Sequence, residues 1–469
     1  MPQEDEGDLP NREVELDITN VAHGGVFVAR HEGRVVFVPD TMPGERVRAR
    51  IGDSSHERFW RGEVLEVLEP SPERQPHVWS AASIERPPAE RAGGAEFGHI
   101  RPEHQRELKR QVLEDALERM AKYSSEEIAT AGIDGGRLHV EPVAGETADG
   151  TGWRTRVRLQ VDGDGNLGPF ASRSHTVIPV EDLPLATALV QDAAPFGQRF
   201  PGAESVDVVA TGLGTSHVLV NDAPDRSGNR SANRGGGRQG ARSSNRRSDR
   251  RSGGGSARQS NRTARPRQQP VPIRERVGDR EFRLDARGFW QVHRAAAETL
   301  TAAVQSAVDE ALFDPRAANL DLYGGVGLLA AALGDRFGST LRITSVESSE
   351  AATDDAAENL ADWVGAAAVT DRVERYITRL AADASAAERG RLRAATIVLD
   401  PPRSGAGRDV VDAIASVTPA QVVYVACDPV ALARDLAYFG GHGYRLQGMR
   451  AFDLFPNTHH MEAVATLTR

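Results

Sequence analysis

Asn319-Leu-Asp-Leu-Tyr323 runs directly into Gly324-Gly325-Val326-Gly327 and then into the apolar segment Leu328-Leu-Ala-Ala-Ala-Leu333. A short apolar strand, a glycine turn and an apolar helix, in that order, form a unit in which the backbone can approach a nucleotide closely. The next strand-like run, Arg342-Ile-Thr-Ser-Val-Glu347, ends in a carboxylate 20 residues beyond Gly327, a position from which it can bond ribose hydroxyls. These residues alone predict a nucleotide-type cofactor and leave a dinucleotide open. Further strand-like runs at 396–400, 422–426, 444–452 and 461–467 alternate with Ala-rich helical segments. The alternation predicts an α/β domain over 271–469: a doubly wound sheet with ligands beyond the carboxyl ends of its strands.

Two of these strand ends carry reactive groups. Asp400-Pro-Pro-Arg403 leaves one strand, and the paired prolines stiffen the backbone so that Asp400 and Arg403 are held in place. Cys427 follows the next strand, and it is the one cysteine of the chain, so no internal disulfide and no cysteine-built metal site can form. Asp428-Pro429, not further core, follows it. If the last strand, 461–467, is antiparallel, the loop 453–460 re-enters the sheet at its carboxyl edge and Glu462 faces Cys427. A glutamate opening a Val/Ala/Leu strand is poorly placed for an idle charge. His459 and His460 lack a second cluster at ligand spacing, so no metal is expected.

The chain's 469 residues imply more than one domain. Residues 12–70 alternate apolar and polar side chains between turns at Glu32-Gly33 and Pro43-Gly44, which predicts a small antiparallel barrel. Helical spacing of Leu108, Val112, Leu113, Ala116, Leu117 and Met120 predicts a helix over 101–123 that packs on the catalytic domain, after a linker at 71–100. Residues 124–221 return to strand-like runs, a central β-rich domain. The acidic residues 1–11 and the Arg/Ser/Gly-rich insertion 222–270 are expected to be disordered. Net charge is −10, yet the insertion carries 13 Arg against three Asp, which leaves the rest of the chain at −20. That insertion can grip a polyanion or be a tolerated loop without function. No run of about 18 apolar residues occurs, so no membrane span and a cytoplasmic protein are expected.

Two resemblances sharpen this reading. "DITNVAHGGVFVARHEGRVVFVPDTMPGERVRARI" resembles the TRAM domain, an OB-like RNA-binding barrel of RNA-modifying enzymes. "FRLDARGFWQVH", "DLYGGVGLLAAAL", "VLDPPRSGAG", "VYVACDPVALARDL" and "AFDLFPNTHHMEAVATL", in this order, resemble the uracil-C5 RNA methyltransferases, which make ribothymidine in tRNA and 5-methyluridine in 23S rRNA. The implied architecture is a Rossmann-like S-adenosylmethionine (SAM) methyltransferase domain, its last strand antiparallel, joined to a TRAM barrel and a central β-rich RNA-binding domain. The resemblance implies Cys427 as nucleophile, Glu462 as the base that removes the C5 proton, and Gln291, Tyr323, Leu328, Glu347 and Asp400 as SAM contacts. Leu328 stands where the family usually has a polar side chain, and Gly324 where relatives often have cysteine, an exchange expected to be harmless.

One departure is large. Relatives acting on 23S rRNA often hold a [4Fe–4S] cluster on a Cys-x5-Cys-Gly-Gly-Cys pattern and a fourth cysteine. "RPPAERAGGAEFGHI" and "VIPVEDLPL" keep that skeleton with Arg86, Ala92, Ala95 and Leu183 at the ligand positions, so no iron–sulfur cluster is expected. The partner is then RNA, 23S rRNA before tRNA, and the protein is expected to act as a monomer. Two other classes stay open from sequence: an RNA- or SAM-binding protein without catalysis, and a nitrogen methyltransferase in which Asp400-Pro-Pro-Arg403 stands in for an amino-group motif and Cys427 is idle.

Overall fold

The computed structural model describes residues 12–53, 58–132, 137–172, 174–223 and 269–469. The terminus 1–11 and, but for its first and last two residues, the insertion 222–270, both expected to be disordered, lie outside those residues.

The N-terminal strands are β1 (Glu13–Ala22), β2 (Val26–His31), β3 (Arg34–Val38), β4 (Arg46–Asp53) and β5 (Phe59–Glu69), closed into a barrel in the order β1-β2-β3-β5-β4. Along β1 every second side chain, Val14, Leu16 and Ile18, points inward, which is the period a half-buried strand requires. The barrel is not wholly antiparallel as expected: β3 and β5 pair in parallel. The long connection between β3 and β5, which contains β4, allows that pairing where a tight hairpin would not.

Helix α1 (Pro102–Ala116) carries a double apolar load. Leu108 packs into the barrel core, while Leu113 and Ala116 pack into the core of the large domain, as does Leu117 just beyond the helix. Helix α2 (Ser125–Ala131) is opened by a capping box between Ser124 and Glu127. After it, β6 (Val140–Glu141) joins the edge of the large sheet beside the strand that ends at Phe452. Helix α2 and β6, expected within the central domain, therefore pack with the methyltransferase sheet. A two-residue edge strand is too short to show as periodicity.

The central sheet is smaller than expected. It holds β7 (Arg156–Val161), β8 (Leu167–Gly168), β9 (Ala203–Ala210) and β10 (Ser216–Asp222) in the order β10-β9-β7-β8, with helix α3 (Ala188–Ala193) against β9 and β10. A hairpin, β11 (Pro272–Val277) and β12 (Arg280–Asp285), leads into the large domain. There, helix α4 (Ala296–Ala307) precedes β13 (Asn319–Leu322), α5 (Leu328–Phe337), β14 (Arg342–Glu347), α6 (Glu350–Asn359) and β15 (Gly365–Thr370). These are followed by α7 (Val373–Asp383), α8 (Ala386–Arg393), β16 (Thr396–Leu399), α9 (Arg408–Val417), β17 (Gln421–Ala426), α10 (Pro429–Gly441), β18 (Arg445–Phe452) and β19 (Glu462–Thr468). The sheet order is β15-β14-β13-β16-β17-β19-β18-β6. Pairing is parallel from β15 through β17, and β19 is antiparallel to β17 and to β18, as the sequence predicted.

The return loop between β18 and β19 is held from below by α1. The Lys109 ammonium meets Asp453 Oδ1 at 2.5 Å and donates to the Phe455 carbonyl at 3.1 Å, with both charged side chains fully buried. Gln105 accepts from the Asn457 N–H at 2.7 Å and donates to its Oδ1 at 2.9 Å, which supports the positive φ of 64° at Asn457. Breaking a buried pair leaves an uncompensated charge, whereas replacing both partners need not. Lys109→Met is therefore expected to lower unfolding free energy by about 3–5 kcal/mol, and Lys109→Met/Asp453→Leu to regain most of it, both read by chemical denaturation.

Candidate active site

The register of the last strand decides what the cleft contains. Ala426, the final residue of β17, lies opposite Ala463 of β19. Continuing that register by one step would set Cys427 across from Glu462. Directly opposed residues of an antiparallel pair share a face, with Cβ atoms about 4.5–5.5 Å apart. Both side chains line one cleft of about 1050 Å³, together with Asp400 and Arg403 from the loop after β16. Cys427 is half-buried, so the cleft reaches its sulfur, while Glu462 is only 4% exposed.

This end of the sheet concentrates acid groups. Burial, with Asp321 behind it, pushes Asp400 up to about 7, and burial likewise raises Asp321 to about 7. Burial and then Asp400 hold Glu462 well above the usual carboxylate range, against the opposing pull of Arg403. The Cys427 thiol is pushed up to about 12, first by burial, then by Glu462 and Asp400. At rest it is protonated and unreactive. So many buried carboxyl groups suit a ligand that brings positive charge.

The cofactor side of the cleft is built on the glycine turn. Tyr323 has φ 63°, Gly325 53° and Gly327 88°, and at Gly325 a Cβ would meet open space, leaving bare backbone toward the cleft. Glu347 accepts from the Gly325 N–H at 3.3 Å and from the Ser349 N–H at 2.8 Å, which fixes its carboxylate at the cleft wall. Gln291, Tyr323 and Glu347 all line the cleft. Leu328 does not: it opens α5 with its side chain buried in the apolar core, as its chemistry favours. Gly324 is also less neutral than expected. A Cβ there would stand 2.0 Å from Ser345 Oγ, which itself donates to Asp321 at 3.1 Å, so the serine occupies the room a side chain would need.

The loop carrying Arg403 is clamped from behind. Asp435 of α10 accepts from the Tyr424 hydroxyl at 2.7 Å and from the backbone N–H of Ala406 at 2.7 Å and Gly407 at 3.2 Å. Arg434 donates to Asp435 and to the Ser404 carbonyl. Gln291 is steadied by the central domain: Thr155 donates to the Val292 carbonyl through both its N–H and its hydroxyl, and Trp153 stacks on His293.

Several cleft residues escaped the sequence reading. Arg154 and Phe289 line the cleft, the latter 71% exposed at its rim. Arg154 sits just before the strand β7, and nothing in local alternation distinguishes it from the neighbouring Arg156 and Arg158. The exposed aromatic in "RGFWQVH" was the available signal for Phe289. At the positions where a cluster would be ligated, Ala92, Ala95 and Leu183 pack in one apolar core with Trp79. Arg91 bonds the carbonyls of Arg86, Ile84 and Val64 and the Asp40 carboxylate, tying this segment to the barrel. Among the described residues no group of three His, Cys, Asp or Glu is arranged to hold a metal ion, and no helix is long and apolar enough to cross a membrane.

Comparison with known proteins agrees with this geometry. A family model described as tRNA (Uracil-5-)-methyltransferase matches residues 274–469, and the TRAM domain model matches residues 9–65. An uncharacterized RNA methyltransferase of Streptomyces avermitilis is 37% identical over 97% of this chain and 98% of its own length. The chain belongs to the uracil-C5 RNA methyltransferase family. It is thus a SAM-dependent RNA (uracil-C5-)-methyltransferase. An uncharacterized RNA methyltransferase of Bifidobacterium longum is similar at 31% identity, over 97% of each chain. In fold, this methyltransferase resembles the crystal structure of the Pyrococcus abyssi tRNA (uracil-54, C5)-methyltransferase in complex with S-adenosyl-L-homocysteine. The TM-score is 0.61 at 18% identity, over 97% of this chain and all of that one.

Because Cys427 is the only thiol, its alkylation reports its ionisation without interference. Iodoacetamide reaction followed against pH is expected to show an apparent pKa far above that of a free thiol. Glu462→Gln, by removing one negative neighbour, should lower that pKa without bringing it to the free-thiol value, since burial is the larger cause.

Proposed function

We propose that the protein methylates C5 of a uridine through a covalent bond between Cys427 and C6 of the base, with Glu462 as the base that completes the reaction. The observation that carries this reading is that Cys427 and Glu462, each one residue beyond the last pair of the β17–β19 ladder, line the same cleft as the glycine turn. Uracil C5 is too weak a nucleophile to accept a methyl group unaided, and a thiolate is the side chain best suited to add at C6. The Cys427 thiol first gives up its proton to solvent; as the resulting thiolate bonds to C6, the C5–C6 electron pair moves toward C5 and the O4 enolate. SAM, when bound, supplies the methyl group that C5 takes up. Glu462 then removes the proton left on C5. That electron pair restores the C5–C6 double bond, and the sulfur leaves with the bond's electrons. The raised affinity of Glu462 for a proton suits it to this role.

The remaining residues supply binding and orientation. Gln291, Tyr323 and Glu347 would hold the cofactor, with Glu347 toward the ribose hydroxyls. Asp400 would orient the uracil edge or the donor group, and Arg403 would balance charge on the enolate oxygen or a phosphate. The target base must leave its stack to enter such a cleft. The barrel and the central sheet would grip the RNA around it. We infer 23S rRNA as the first substrate to test, from the TRAM-bearing architecture, and tRNA as the second. Mapping 5-methyluridine in total RNA from cells with and without the gene decides between them.

The chemistry is tested by two substitutions. Cys427→Ala is expected to abolish methylation, whereas a nitrogen methyltransferase would not notice the loss, and a Cys427→Ser enzyme that turned over normally would overturn the covalent route. Glu462→Gln should lower kcat by on the order of 10²–10⁴ and accumulate an RNA–protein adduct that survives denaturing electrophoresis.

A further inference from the structure

One turn of the barrel touches the residue after Cys427 and the loop that leads to Glu462. His23, between β1 and β2, meets Asp428 with its Nε2 at 2.8 Å from Oδ2. The other oxygen of Asp428 caps α10, accepting from the N–H groups of Val430 at 3.0 Å and Ala431 at 2.8 Å. Cys427 is the residue between that cap and the end of β17. Two residues on from His23, Gly25 is pressed against the loop leading to Glu462: a Cβ there would lie 2.9 Å from His459 Cβ. The space left among the turn, Cys427 and His460 is about 20 Å³, room for one water molecule. The contact is partly shielded, the His23 side chain being 48% exposed and that of Asp428 21%. Each partner favours the charged form of the other, which raises the pKa of His23 and lowers that of Asp428.

The geometry points to His23 as a positioning residue for the nucleophile: through Asp428 it fixes the Cys427 segment from the barrel side, so that the TRAM barrel is a wall of the active site as well as a grip on RNA. This rests on the reading of Cys427 as nucleophile. A barrel that only gripped RNA would have no need to bond the residue next to the reacting thiol. The barrel would act on the step in which sulfur meets C6, which is a kcat effect, while its outer face acts on RNA affinity. The other charged groups around Cys427 are Glu462, Asp400 and Arg403, and Lys109, His459 and His460 flank the small space beneath the turn. None of them lies on the barrel, so His23 is its one ionisable contact in this set.

The test uses the full-length enzyme in single-turnover methylation of its RNA, with RNA affinity measured separately by filter binding. His23→Ala is expected to reduce the single-turnover rate about tenfold while changing RNA affinity less than about threefold. His23→Gln, whose amide N–H reaches the place of Nε2, should recover most of the rate, which a merely structural loss would not predict. Asp428→Ser keeps a cap for α10 but is too short to meet His23, and should resemble His23→Ala. The double variant should be no worse than the poorer single one, because the two act through one contact. Loss of RNA affinity with the rate intact, or full additivity in the double variant, would overturn the inference. Activity surviving in Cys427→Ala would instead overturn the nucleophile reading itself, so the two failures are told apart.

Discussion

The antiparallel return of β19 beside β17 is the constraint on which the site depends. Side chains alternate along a strand, so a slip of one residue in this ladder would turn Glu462 away from the cleft and bring an alanine or a methionine into its place. The register is secured at the turn more than in the strands, whose Val/Ala/Leu faces would tolerate a shift. Asn457, with its positive φ and its bonds to Gln105, Asp149 and Gly150, defines where the loop reverses. Lys109 defines where it begins by holding Asp453. A helix that lies outside the Rossmann-like domain in sequence therefore helps to position Glu462 within it.

The same closure explains the electrostatics. Bringing β19 against β17 buries Glu462 near the half-buried Asp400, and Asp321 lies fully buried behind them. Buried acids that cannot all ionise together keep their protons to higher pH than usual, and the thiol among them does the same. A site in this state is quiet toward stray electrophiles and oxidants, because the thiolate and not the thiol is the reactive species. Arg403 is the opposing charge, and the loop that carries it is tethered by Asp435. The balance of the cleft can then be tipped by a positively charged ligand.

Much of this was legible in the sequence because it is local. The glycine turn, the Asp400-Pro-Pro-Arg403 strand end, Cys427 after a strand and the antiparallel last strand all follow from short patterns with a physical reason. What was not legible is what depends on distant packing. Leu328 occupies a motif position yet turns into the core, since helix phase and not motif order decides which way a side chain at the first turn points. Gly324 is constrained by Ser345 on the neighbouring strand, 21 positions away in sequence. The parallel pairing of β3 with β5 and the edge strand β6 have no periodic signature, and the contact of His23 with Asp428 spans 405 residues.

The segment 86–100 is held without any cysteine. Ala92, Ala95 and Leu183 fill an apolar core and Arg91 directs its donors to three carbonyls and a carboxylate. A guanidinium fork thus cross-links the segment to its surroundings. The segment must stay fixed because Phe97 donates its N–H to the Asn457 carbonyl at 3.0 Å and packs in the barrel core. It thus joins the barrel to the loop that delivers Glu462. Loss of that rigidity would reach Glu462 through Asn457, so Arg91 and its apolar neighbours support the cleft as well as the fold.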